Sequence, residues 1–178
     1  RCLLSVSKVC SDIVIVDYFS SDNTELIATK FNARFYQNKW VSYSTQFNWG
    51  LKKTKINTDW VLRIDADEYL TEELILNIQS NLCNLEPSIN GVMVNRLMYF
   101  MGKPLKKGGM YPIRHMNLWR NGKSICEQRW MDERMKLLEG ESTFIDGDLV
   151  DYAAIQHHYK ECREHGNTLE VAIELMES

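Results

Sequence analysis

The chain has 178 residues, of which 44% are hydrophobic and 25% are charged, and its net charge is −3. A chain of this size and composition can bury one sizeable core, so we predict a single domain over residues 1–178. The negative charge argues against the broad basic surface that nucleic-acid-binding proteins use, and we expect no nucleic-acid partner.

Cysteine usage and hydropathy indicate the compartment. The five cysteines are scattered and include no CxxC pair, which argues against a disulfide framework or a zinc site and favours a reducing cytoplasm. The apolar runs IVIV and GVMV are far shorter than the roughly 18 residues of a membrane-spanning helix. We therefore expect a cytoplasmic protein without a signal peptide, and association with the inner face of the membrane stays open.

Helical and strand-like segments alternate from the start of the chain. RCLLSVSKVCSD has helical spacing, and the β-branched run IVIV at 13–16 predicts a strand that is buried on both faces. Asp22 and Glu25 have the spacing of a capping box and predict the start of the next helix. RFY at 34–36 then predicts a second strand.

The same alternation continues through the first half of the chain. An aromatic or apolar side chain recurs every four residues from Tyr43 to Leu51 and predicts a helix. WVLRI at 60–64 predicts a third strand, and Thr71 can cap the helix after it. Alternating helices and strands favour right-handed crossovers, so we predict for residues 1–86 a mostly parallel sheet with helices on both faces.

The second half of the chain has a different character. Two of its segments are strand-like, at 91–100 and at 113–119. Asn121 and Gly122 predict a tight hairpin turn after the second of them. We therefore predict a mixed β region over residues 87–158 and a C-terminal helix over residues 159–178.

Acids follow two of the predicted strands. Asp17 closes IVIV, and Asp65 and Asp67 close WVLRI with one alanine between them, so in an extended segment both would face the same way. The carboxyl ends of parallel strands meet at one sheet edge, where ligands bind, and the three carboxylates should converge there. Converging acids that stay charged need a cation, and Mg²⁺ or Mn²⁺ takes carboxylate and phosphate oxygens as ligands. The residues predict a nucleotide diphosphate held through a metal ion; a solvated strand end is the alternative.

The segments VIVDYFSSDNT and WVLRIDADE together resemble the nucleotide-binding half of the family 2 glycosyltransferases. That family has the GT-A fold, a Rossmann-like α/β arrangement, and a DxD motif that the second segment matches. Asn48 and Gly50, in FNWGL, are similar to the family's helix before that motif. The resemblance covers most of residues 1–133.

The resemblance implies an inverting transfer of a sugar from a nucleotide-sugar, usually a UDP-sugar, to a hydroxyl of a glycan or a lipid-linked acceptor in cell-envelope polysaccharide synthesis. It implies that Asp17 contacts the base, Asp65 the ribose or the diphosphate, and Asp67 the metal. The family's first strand has no counterpart here, and the chain starts at Arg1 inside a helical pattern, so we expect a fragment.

Direct displacement also needs a general base for the acceptor hydroxyl. RWMDERM at 129–135 falls where the family carries its acidic base motif, and the resemblance implies Glu133 as the base, with Asp132 just before it as the alternative. Without the resemblance, an exposed charged turn explains the same residues equally well. Trp130 is the aromatic residue that we expect near a sugar ring.

Two adjacent histidines, His157 and His158, stand near the end of the chain. The resemblance implies that one of them, His158 in our assignment, lies on the acceptor side near the diphosphate or the metal. A purely structural role is the alternative for both, because adjacent side chains point in different directions on any regular element.

Other classes of protein also use two aspartates after a strand. In a haloacid-dehalogenase-like phosphatase Asp65 would be the nucleophile and Asp67 the acid and base, but Tyr69 stands where that motif needs threonine or valine. An EF-hand calcium loop would need a glycine at its sixth position, which DADEYLTEELIL lacks. A catalytically inactive module that binds a nucleotide-sugar is the third alternative.

Overall fold

The computed structural model describes residues 1–100, 102–128 and 133–152. The helices are α1 Cys2–Val6, α2 Thr24–Lys30, α3 Tyr43–Lys53 and α4 Glu72–Asn81, and a 3₁₀ turn follows at Leu82–Asn84. The strands of the first half are β1 Val14–Asp17, β2 Arg34–Gln37, β3 Trp60–Leu62 and β4 Glu68–Leu70. Those of the second half are β5 Ile89–Phe100, β6 Lys103–Pro104, β7 Ile113–Arg120, β8 Ser124–Cys126, β9 Met135–Leu137 and β10 Glu141–Asp151. The helix predicted at 159–178 lies outside the described residues.

The strands form a mixed sheet and two smaller pairs. The main sheet has the order β3–β7–β5–β10–β4, with β6 paired to β5. β5 and β10 run parallel, whereas β3, β4, β6 and β7 pair antiparallel with their neighbours. β1 and β2 form a separate parallel pair, and β8 and β9 an antiparallel one. The prediction of a mostly parallel sheet is therefore wrong, because β7 of the second half occupies the place beside β3 and runs against it.

Two local predictions are also corrected. Asp22 does not take part in a capping box; its carboxylate accepts the N–H of Thr24 at 3.0 Å, and Asn23 is the N-cap of α2. A tight turn does form at 121–122, but the strands on its two sides are not a hairpin, because β8 pairs with β9. Both errors come from applying a local pattern without knowing the partner that tertiary structure supplies.

The hydrophobic core lies between α4 and the main sheet. Thr71 caps α4 as predicted, since its Oγ1 accepts the N–H of Leu74 at 3.3 Å. The buried side chains of this core come from α1, α4 and four strands of the main sheet: Val6, Leu70, Leu74, Ile75, Ile78, Val92, Val94, Leu118, Ile145 and Leu149. Each full burial of such a side chain contributes roughly 1.5–3 kcal/mol, so this layer fixes the positions of β4 and β10 beside the site described below.

A cavity of about 910 Å³ separates β1 from β3. Three residues of β1 and all of β3 line it, together with side chains of α1 and α3. In the described part of the chain, β1 pairs only with β2 and β3 only with β7, so each strand has one open edge and both strands border this space. The two sheets are consequently joined here through helices and not through a shared hydrogen-bond ladder.

We expect Gly147→Ala to lower the free energy of unfolding strongly. Gly147 lies in an irregular part of β10 with a φ of +108°, and an added Cβ would lie 2.5 Å from the backbone nitrogen of Leu74 on α4. The left-handed φ costs about 1–2 kcal/mol and the clash with the helix adds to it, so the expected loss is about 3 kcal/mol. Urea denaturation measures the change.

Gly108→Ala is the matched control for that substitution. Gly108 also has a positive φ, of +67°, but an added Cβ there meets nothing within 4 Å. Only the conformational cost of about 1–2 kcal/mol should remain. If both variants lost the same free energy of unfolding, the result would contradict the close packing of α4 on β10.

Candidate functional site

The acids after β3 lie in a turn. The N–H of Glu68 donates to the carbonyl of Asp65 at 3.0 Å, and β4 begins at Glu68. Asp65 is half-buried, Asp67 is exposed and Glu68 is buried. The expectation that Asp65 and Asp67 share one face of an extended strand is therefore wrong, because β3 already ends at Leu62.

Asp65 is held by the first turn of α3. The hydroxyl of Tyr43 donates to Asp65 Oδ1, and Arg63 Nε lies 4.0 Å from the same oxygen while its guanidinium lies over the Tyr43 ring at 4.6 Å. Helix α3 begins at this place because Ser42 Oγ accepts the N–H of Thr45 at 3.2 Å. Burial raises the pKa of Tyr43, and the charge of Asp65 adds to the shift, so the phenol stays a donor.

The turn has an excess of negative charge. Glu68 Oε2 accepts the N–H of Asp65 at 3.0 Å, and Glu68 Oε1 lies 3.8 Å from Arg96 Nε. Burial raises the pKa of Glu68 to about 7, and the carboxylate of Asp65 adds to this shift. Burial also raises the pKa of Asp67, with the charges of Asp151 and Asp65 adding to it. A bound cation would relieve this repulsion.

Asp17 ends β1 as predicted and is connected to the same end of α3. Its two carboxylate oxygens accept the N–H of Ser20 at 2.8 Å and the hydroxyl of Ser20 at 2.5 Å. The N–H of Asn38 donates to the carbonyl of Asp17 at 3.0 Å, and its side-chain amide donates to Gln46 on α3 at 2.8 Å. Asp17 and Asp65 are thus linked through the first turns of one helix, whereas the sequence suggested a common parallel sheet.

The second half of α3 holds the segment that leads to Glu133. Asn48 Nδ2 donates to the carbonyl of Cys126 at 2.8 Å, and Asn48 Oδ1 accepts the N–H of Cys126 at 3.0 Å. The N–H of Glu127 then donates at 3.0 Å to the carbonyl of Arg134, the residue after Glu133. Glu133 itself is half-buried and lies in no helix or strand.

The thiol of Cys126 is affected by acids from both segments. Burial raises the pKa of Cys126; Arg63 opposes the shift, and the carboxylates of Glu133 and Asp65 add to it. Both carboxylates therefore act on one buried atom.

The other predicted residues on the acceptor side lie outside the described residues. They are Trp130, Asp132 and His158, with His157 beside the last. Their roles stay predictions.

Sequence reasoning missed two residues that the fold places beside the turn, Arg96 and Asp151. Asp151 follows the apolar pair LV in FIDGDLVD, as Asp17 follows the longer apolar run IVIV. Arg96 interrupts the apolar strand VMVNRLMYF, and an arginine in a buried strand needs an acidic partner. Both signals were visible, but the pairing depends on β10, a strand that the sequence did not predict.

The residues present fit a divalent cation bound together with a ligand. In residues 1–100, 102–128 and 133–152, no group of three or more histidine, cysteine, aspartate or glutamate side chains is arranged to hold a metal ion. Mg²⁺ seldom needs such a cage, because it commonly binds one or two carboxylates, phosphate oxygens and water. The exposed Asp67 with Asp65 beside it matches that requirement.

Within the part of the chain that the structure describes, no helix is both long enough and apolar enough to cross a bilayer.

Comparison with known proteins identifies the family. The family model described as glycosyl transferase family 2 matches residues 1–136. The chain therefore belongs to the family 2 glycosyltransferases, which confirms the resemblance noted from its sequence.

Individual relatives agree with this assignment. The chain is 35% identical over 74 residues to an uncharacterized glycosyltransferase of Rickettsia bellii, a match that covers 42% of this chain and 24% of the relative. It is 28% identical over 128 residues to the lipopolysaccharide core biosynthesis glycosyltransferase LpsC of Rhizobium meliloti, which covers 69% of this chain and 46% of the relative. The chain thus spans about a quarter of the Rickettsia protein and about half of the Rhizobium protein.

The raised pKa of Glu68 predicts a pH-dependent difference in stability. Its pKa is about 7 in the folded chain against an ordinary 4.5, so between these pH values the unfolded chain loses the proton first and the free energy of unfolding falls. The variant Glu68→Gln does not titrate at this position, so its free energy of unfolding lacks this decrease. Its stability relative to the wild type should rise by about 3 kcal/mol from pH 4.5 to pH 7 and stay level above that, in urea titrations with EDTA.

Glu139→Gln provides a control of opposite sign. Hydrogen bonding to Lys123 lowers the pKa of the exposed Glu139, so the wild type gains stability from it as the pH rises. The stability of this variant relative to the wild type should fall slightly as the pH rises to about 4.5 and stay nearly level from there to pH 7. A flat difference for Glu68→Gln would contradict the burial of a raised-pKa carboxyl beneath the turn.

Proposed function

We propose that this chain contains the nucleotide-sugar-binding part of an inverting glycosyltransferase with a GT-A-type fold. It transfers a sugar from a UDP-sugar to a hydroxyl of a glycan or a lipid-linked acceptor. One observation carries the proposal. Helix α3 holds the turn of Asp65 through Tyr43, and through Asn48 it holds Cys126, from which the chain continues to Glu133. Family membership supports the reaction class, and the name of the Rhizobium relative supports a cell-envelope glycan as acceptor.

On the donor side, Asp17 contacts the base and Asp65 the ribose or the diphosphate. The two oxygens of Asp17 already accept hydrogen bonds from Ser20, which fixes the direction of the carboxylate. Each oxygen keeps a further lone pair for a donor group of the base. Tyr43 and Arg63 fix Asp65 in the same way.

Asp67 holds the divalent cation, Mg²⁺ or Mn²⁺, with Asp65 as its neighbour. The support is that Asp67 is exposed and lies in the same turn as Asp65. Phosphate oxygens of the donor complete the ligand set. When bound, the ion supplies positive charge that stabilises the leaving diphosphate.

On the acceptor side, Glu133 is the general base, with Asp132 as the alternative. The base takes the proton of the acceptor hydroxyl while that oxygen attacks the anomeric carbon from the face opposite the diphosphate. The bond between the anomeric carbon and the diphosphate oxygen breaks in the same step, so the configuration inverts. Trp130 then contacts the sugar ring, and His158 lies on the acceptor side.

Family membership removes the phosphatase alternative. Binding of the nucleotide-sugar without transfer stays as a second candidate function. The observation in its favour is that the chain spans about a quarter of the Rickettsia relative.

Calorimetric titration of the full chain with UDP tests the donor site. We expect UDP to bind with Mn²⁺ present and not in EDTA, and we expect Asp67→Ala to abolish this binding because the metal loses its exposed ligand. The control is Asp146→Ala, which removes an exposed acid in the middle of β10. This variant should bind UDP like the wild type. Unchanged binding by Asp67→Ala would remove this residue from the metal site.

Substitution of the predicted base separates transfer from binding. Glu133→Gln should lower the rate of UDP release from UDP-hexoses, with a lipid-linked glycan extract as acceptor, by about 100-fold or more. The affinity for UDP with Mn²⁺ should not change, because the base does not contact the nucleotide. Asp132→Asn and the exposed Glu139→Gln are the comparison variants; a larger loss in Asp132→Asn would assign the proton transfer to that residue.

A further inference from the structure

A buried group of charged side chains adjoins the turn of Asp65 and Asp67. Arg96 lies on β5, Glu68 at the start of β4 and Asp151 at the end of β10. Because β10 lies between β5 and β4, Arg96 reaches across one strand of the sheet. Glu68 and Asp151 are only 5% and 2% exposed, so both carboxylates depend on partners in the protein.

The contacts of Arg96 lead to the backbone of the turn. Arg96 Nη2 donates to Asp151 Oδ2, and Arg96 Nε lies 3.8 Å from Glu68 Oε1. The other oxygen of Glu68 accepts the N–H of Asp65 at 3.0 Å. Two contacts therefore connect the guanidinium to the first residue of the turn.

A second connection reaches Asp67. The residue after Asp151, Tyr152, directs its N–H at the carbonyl of Asp67 at 3.5 Å, and Asp151 lies opposite Glu68 in the antiparallel pair of β10 and β4. Arg96 thus pairs with the ends of both β4 and β10, the two strands whose ends contact the turn. A shift of either strand end would move one of the two aspartates.

We propose that Arg96 is a positioning residue of the donor site, which holds the Asp65–Asp67 turn, through Glu68 and Asp151, in the conformation that binds the metal-bound diphosphate. The ligand in this inference rests on the proposed function, whereas the contacts rest on the geometry alone. Arg96 touches no reacting atom in this role. Some side chains contact metal ligands without contacting the metal. Their replacement commonly lowers metal affinity about 10- to 100-fold.

The chemistry of the guanidinium suits this task. Its planar fork carries several donors at fixed angles, so one side chain can face two carboxylates on different strands. The buried Nε has no hydrogen-bond partner among the described residues, and its contact with Glu68 is ionic. Glu68 can therefore keep its hydrogen bond to Asp65 while its charge is balanced.

Hydrogen exchange of the nucleotide-free full chain tests the contacts without any ligand. We expect Arg96→Met to speed exchange of the Asp65 amide by about tenfold or more, measured by NMR, because the turn loses its anchored acceptor. The amide of Ile75 in the core helix α4 reports on global opening and should change less. Arg114→Met, which removes an exposed arginine of the adjacent strand β7, is the control.

Calorimetry with UDP and Mn²⁺ tests the link to the donor. Arg96→Met should weaken binding about 10- to 100-fold, and Arg96→Lys should fall between it and the wild type, because lysine keeps the charge but not the fork. Arg114→Met should bind like the wild type. If Arg96→Met does not fold, the neutral variant Arg96→Met/Glu68→Gln/Asp151→Asn removes the unpaired buried charges and takes its place in both measurements.

The outcomes separate this inference from the proposed function. Wild-type protein that binds no UDP with Mn²⁺ would contradict the proposed donor site, and the exchange of the Asp65 amide then decides the positioning role alone. Equal acceleration at Asp65 and Ile75 would show a general stabilising role and overturn the inference. Faster exchange at Asp65 with unchanged affinity for UDP and Mn²⁺ would overturn it as well.

Discussion

The arrangement of the site depends on two hydrogen-bonding side chains on one helix. Tyr43 in the first turn of α3 holds Asp65, and Asn48 further along holds both backbone groups of Cys126. At about 1.5 Å per residue, the helix rise between these anchors is about 7.5 Å. A rigid element therefore sets the separation between the acidic turn and Cys126, from which the chain continues to Glu133.

The same helix also joins the two sheets. β1 and β3 border the cavity and share no hydrogen bonds, so β1 and β2 keep their place through packing against helices. Gly50 permits the close approach of α3, because a Cβ there would lie 3.0 Å from Val16 Cγ2 on β1. This packing is a physical reason for the glycine in FNWGL. It also explains how Asp17 is placed beside α3 without a common sheet.

Local patterns predicted the elements well and their arrangement poorly. The β-branched run at 13–16, the cap Thr71 and the long strand at 91–100 gave clear signals, because each is decided by neighbours in sequence. The strand β10 was missed because ESTFIDGDLVD mixes acids with a glycine that fits only against α4. The parallel sheet was wrong because the crossover rule assumes that strands adjacent in sequence are neighbours.

Charge balance explains how four carboxylates can lie in and around one turn before any ligand binds. Asp65, Asp67, Glu68 and Asp151 bring four carboxylates together, and the guanidinium groups of Arg63 and Arg96 face Asp65, Glu68 and Asp151. When all six groups are ionised, two negative charges remain, which is the charge that one divalent cation neutralises. Burial and the charge of Asp65 raise the pKa of Glu68 to about 7, so near neutral pH a proton takes up part of that excess.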